Sequence, residues 1–164
     1  MNTMGTRSQG GSWLHEWFGG NRPGDAEALQ ALLSRICQQE SALACHLAER
    51  ARALRFGPHR LSLEVVAERD RQNAHALARE IGCETTLTAA ASPTRRPGTL
   101  TATKLIRDLE ETEDLYALYR QASRLTSDAT LRGKLEGLGS DEVLGSQTIR
   151  AILARMDSNV TDLA

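Results

Sequence analysis

Four acidic residues, Glu40, Asp70, Glu113 and Glu142, fall on or beside apolar stripes of helical period, where a packed interior should hold hydrocarbon. Glu40 completes the series Leu33, Glu40, Leu47, Leu54 at heptad spacing. Asp70 lies between Leu63, Val66, Ala74 and Leu77, with Asn73 at the edge of the same stripe. Glu142 and Gly145 occupy the middle of Leu131, Leu135, Leu138, Ile149, Ile152 and Met156. Glu113 flanks a stripe of Leu105, Leu109, Tyr116 and Tyr119 in which Thr112 is central. A carboxylate buried without a partner is costly, so each of these acids must be solvated, protonated, paired or bound to a cation. Carboxylate oxygens without imidazole suit one hard ion such as Mg²⁺, Ca²⁺ or Mn²⁺. Tyr116 and Tyr119 are the neutral donors nearest in the pattern, able to hydrogen-bond the acids with or without a metal.

The elements that must position these residues are four amphipathic helices, expected at about 25–54, 59–81, 101–126 and 129–156. Asp25 is placed to cap the first. "FGPH" at 56–59 breaks the chain between the first and second, with Pro58 near an N1 position. Gly82 is placed to end the second, and Ser127 or Asp128 to cap the fourth. Between the second and third helices lies "CETTLTAAASPTRRPGTL", two prolines and a glycine among small polar residues, with no sustained apolar period. A connection of that length fits a crossover along a bundle, because short links join antiparallel neighbours and only a long one returns to the starting end. The expected fold is therefore all-α: a bundle over 24–157 of two antiparallel hairpins joined by a long crossover, with an N-terminal tail at 1–23 and a C-terminal tail at 158–164.

Over about residues 25 to 156 the chain resembles the ferritin-like superfamily. In its di-iron carboxylate members each of two helices gives one Glu, and each of the other two gives a Glu-x-x-His pair. The resemblance places Glu40 and Glu113 with the single glutamates, and Asp70-x-x-Asn73 and Glu142-x-x-Gly145 with the pairs. Phrases such as "EDLYALYRQA", "LRGKLE" and "AERDRQNAHALAREIG" are similar to those of small bacterial ferritin-like proteins, some lacking the full ligand set. Both histidines of the pattern are replaced here. Asn is a weak neutral oxygen donor and Gly offers no side chain, which weighs against two irons poised for oxygen chemistry.

Composition excludes several other classes. Of 164 residues, 40% are hydrophobic and only 4% aromatic, with Ala and Leu dominant, which favours close-packed helices over a β-sandwich. With 20 basic against 21 acidic side chains and no basic block, nothing marks a nucleic-acid partner. Cys37, Cys45 and Cys83 fit neither a disulfide framework nor a zinc spacing, so reduced thiols in the cytoplasm are expected, Cys37 as packing. No apolar run is long enough to span a membrane and no export signal is evident. His46 and His75 lie off their helices' stripes, and His15 and His59 lie in the tail and a junction, so all four read as ordinary surface histidines. No nucleophile elbow, P-loop, dinucleotide fingerprint or helical HExxH occurs. Trp13, Leu14, Trp17 and Phe18 form a compact apolar face in the N-terminal tail, suited to packing on the bundle, to a second copy in a homodimer, or to docking a protein partner.

The reading carried forward is a non-catalytic, ferritin-like bundle acting as an interaction or stress-associated module, with a vestigial acid core and no cofactor. The alternative is a metal-binding protein of the same fold, handling iron or manganese through Glu40, Asp70, Glu113 and Glu142.

Overall fold

A computed structural model describes residues 23–54, 57–82 and 100–161. They form four helices, α1 (Pro23–Ala53), α2 (Pro58–Glu80), α3 (Ala102–Leu125) and α4 (Ala129–Thr161), with no strand among the described residues. The N-terminal aromatic face and most of the long connection lie outside the described residues.

Local chemistry accounts for the helix ends. Pro58 opens α2, where its missing N–H costs nothing, and Gly82, the position after its closing turn, has φ 66°, a left-handed conformation that glycine adopts freely. Thr101 caps α3, its hydroxyl accepting from the Lys104 N–H at 3.3 Å. Asp128 caps α4, with Oδ1 accepting from the Leu131 N–H at 2.7 Å. Asp25 sits in the first turn of α1 rather than at its cap, because Pro23 already starts the helix. At the other end, α4 continues to Thr161, into the stretch expected as a tail, since nothing in "MDSNVT" is a helix breaker.

The helices pack together around one core, α1 against α2 and α3, and α4 against α3 and α2. Leu29, Leu33, Ile36, Leu43 and Leu47 from α1 meet Leu63, Val66, Leu77 and Ile81 from α2, Leu105 and Leu115 from α3, and Leu131, Leu135, Ile149 and Ile152 from α4. Fully burying each such side chain is worth about 1.5–3 kcal/mol, so this shared stripe dominates stability. Cys37 belongs to that core, its thiol donating to the Ala74 carbonyl of α2 at 3.3 Å. No described helix is long and apolar enough to cross a membrane.

Candidate acid and metal centre

Glu40 of α1, Asp70 of α2 and Glu142 of α4 converge at mid-bundle, each with an oxygen within 4.8 Å of the others'. All three are buried, at 0%, 1% and 1% exposure. The Tyr119 hydroxyl of α3 donates to Glu40 Oε1 at 2.6 Å. The remaining Glu40 oxygen and both oxygens of Asp70 and of Glu142 have no hydrogen-bond donor. Five buried acceptors without donors are far from ordinary, since buried polar atoms are nearly always paired.

Glu113 is not part of this centre. Its side chain is 48% exposed and pairs with Arg150 on the surface. The buried positions of α3 are Leu105, Asp108, Thr112, Leu115, Tyr119, Ala122 and Ser123, alternating steps of three and four as far as Ala122. This stripe is rotated from the one expected, because its polar members Asp108 and Thr112 hide it from a reading that follows apolar residues alone. Thr112 spends its hydroxyl on the Asp108 carbonyl at 2.8 Å. Tyr116, expected near the acids, is half-exposed with Arg120 above its ring, and only Tyr119 reaches the centre.

Arg69 lies beside the three acids. Its Nη2 is 4.0 Å from Asp70 Oδ1, and Nε and Nη2 are buried with no hydrogen-bond acceptor. The guanidinium rests against Gly145, where a Cβ would stand 3.0 Å from Nη2, 3.4 Å from Val66 and 3.5 Å from Thr112. A side chain at 145 would press on that group.

Electrostatics follow from the geometry. Burial, then the neighbouring Glu40 and Asp70 charges, push Glu142 up to about 10. Burial and the Asp70 charge raise Glu40 to about 8, against the Tyr119 hydrogen bond. Burial raises Asp70 to about 7, with Arg69 opposing. When both glutamates are ionised neither can donate to the other; a proton on Glu142 turns their contact into a hydrogen bond onto Glu40. Burial and the adjacent Glu40 hold the Tyr119 hydroxyl well above its usual range, so it remains a donor.

These shifts set a pH dependence. In the unfolded chain the acids ionise near their ordinary values of 3.8 to 4.5, whereas the fold keeps protons on them up to about 7 to 10. The native state therefore binds more protons across that window, and stability falls as pH rises through it. Metal-free protein should melt at a higher temperature at pH 5 than at pH 9, and Glu142→Gln should shrink the difference. A melting temperature equal at both values would show that the acids are solvated.

A second group brings together His46, Asp108 and Glu111 between α1 and α3. Here the charges are already matched. Arg50 grips Asp108 through Nε at 3.0 Å and Nη2 at 3.5 Å, and Arg107 holds Glu111 at 3.0 Å. His46 Nδ1 is 3.3 Å from the other Glu111 oxygen, within hydrogen-bond reach, and its side chain is 39% exposed, near the surface position expected. Burial raises the Asp108 carboxyl, with Arg50 pulling it back.

The chain matches no family model, no curated protein and no solved structure at a significant level. What can be said of function therefore rests on the centre itself.

Proposed function

We propose that the chain is a ferritin-like bundle whose core binds one divalent cation of the hard, oxygen-seeking kind, such as Mn²⁺ or Mg²⁺, through Glu40, Asp70 and Glu142. The observation that carries this reading is the set of five buried carboxylate oxygens without donors. Three carboxylates and one guanidinium leave a net charge near −2 when the acids are ionised, which one divalent ion neutralises. A bound ion would supply a Lewis-acidic positive charge. Tyr119 would fix Glu40 from behind, and the surrounding leucines would limit access of water.

Side-chain pairs support the antiparallel order of the bundle: Arg50 with Asp108 and Glu40 with Tyr119 across α1 and α3, Glu113 with Arg150 across α3 and α4, and Glu80 with Lys134 across α2 and α4. Across α1 and α3, where two pairs fall, the numbers run in opposite directions. Such an order is that of a ferritin-like bundle, in which the end of α2 and the start of α3 lie at opposite ends.

The second reading keeps the fold and removes the ion. Glu142 and Glu40 raised to about 10 and 8 would stay protonated at neutral pH, leaving a polar core in a non-catalytic interaction or stress-associated module. Metal analysis of full-length protein purified without chelator, then thermal melting with added Mn²⁺, separates the two. The metal reading expects near-stoichiometric divalent metal, or a rise in melting temperature that Glu142→Gln abolishes and Glu113→Gln leaves intact. Equal melting with and without Mn²⁺ at pH 8 would sink it.

A further inference from the structure

We infer that Arg69 is a resident cation of the acid centre, held in the slot left by Gly145, and that it limits the centre to one divalent ion. The inference rests on the proposed metal reading for its ligand, and on three separate observations for the arginine.

First, the guanidinium is where an ion-sized positive charge would be drawn, 4.0 Å from Asp70 Oδ1 and beside acids from three helices. Second, it is there without directional reward, because Nε and Nη2 are buried yet make no hydrogen bond. Attraction to the carboxylates over a few ångströms is what favours those two nitrogens there, while the side chain as a whole stays 22% exposed. Third, residue 145 has no side chain to crowd it, and a Cβ there would stand only 3.0 Å from Nη2. Arg69 is thus a specificity-determining residue. It lowers the negative charge that an incoming ion meets, and it fills volume that a further ion or its ligands would need.

Calorimetric titration of full-length protein with Mn²⁺ at pH 8, comparing wild type with Arg69→Met, Arg69→Gln and Arg69→Lys, tests the assignment. Wild type and Arg69→Lys should bind one ion per chain with similar affinity. The two neutral variants should bind the first ion about tenfold or more tightly, since a like charge has been removed from its surroundings. Having both Met and Gln keeps the test usable if one of them fails to fold. Unchanged or weaker binding in the neutral variants, or two ions in wild type, overturns the inference and leaves the metal reading in place. No binding by wild type together with one ion in Arg69→Met would mean that the arginine takes the ion's place, which overturns the one-ion limit and removes the metal reading. No binding by any of the four proteins overturns both.

Discussion

Raising the pH from 6 to 8 should strengthen Mn²⁺ binding by about 100-fold or more, because a metal binds the ionised carboxylates and must displace their protons. Each proton released contributes up to tenfold per pH unit while the free site stays protonated. Glu142 and Glu40, held up at about 10 and 8 by burial and by each other's charge, both carry protons over most of this interval. Asp70, at about 7, loses its own within it. The gain is therefore steepest below pH 7, where all three acids hold protons, and eases above it, with Glu142 the last to be displaced. Calorimetry in buffers of different ionisation enthalpy counts the protons directly and should return about two to three per ion near neutrality. Glu142→Gln removes the highest of the three acids, so it should flatten the dependence and weaken binding at pH 8. Glu113→Gln should change neither, because that side chain faces solvent and Arg150. A pH-independent affinity would mean that the ion is held elsewhere.

The second large effect concerns stability alone. Arg50→Ala should destabilise the fold by about 3–5 kcal/mol, the usual result of leaving one member of a buried ion pair without the other. Asp108 is fully buried, and both of its oxygens face Arg50 across the interface of α1 and α3. Arg50 itself is largely covered, so water cannot easily replace it. Replacing both members, with Arg50→Met and Asp108→Leu, should recover most of the loss because no orphaned charge then remains. The single variant should also suffer less at low pH, where the orphaned Asp108 can take up a proton. Denaturant unfolding of the three proteins at pH 7 and pH 4 checks both statements. A loss under about 1 kcal/mol for Arg50→Ala would show that Asp108 is not confined as described.

The two predictions separate what the sequence makes legible from what it conceals. On α1, α2 and α4 the stripes are long and regular enough that one polar intruder stands out, and period alone places Glu40, Asp70 and Glu142 on the core faces. On α3 the core positions 108 and 112 are themselves polar, so apolar periodicity pointed to the neighbouring face and to Glu113. A strict alternation of three and four from Leu105 through Leu115, Tyr119 and Ala122 would have found Asp108. Arg69 was invisible for a different reason. Its backbone position is beside the stripe, and only the length of the side chain together with the empty volume at Gly145 carries the charge inward. Periodicity places Cα atoms; it does not report where a flexible side chain ends. Pairing between helices, as in Arg50 with Asp108 and His46 with Glu111, likewise depends on register between elements, which no single helix encodes.

Crystals of the full-length protein equilibrated with MnCl₂ at pH 8, measured at the manganese absorption edge, test the central claim most directly. One anomalous peak per chain is expected at mid-bundle, within bonding distance of Glu40, Asp70 and Glu142, with the Arg69 guanidinium still resting against Gly145. A bundle core without an anomalous peak, or peaks confined to surface acids such as Glu113, would contradict it.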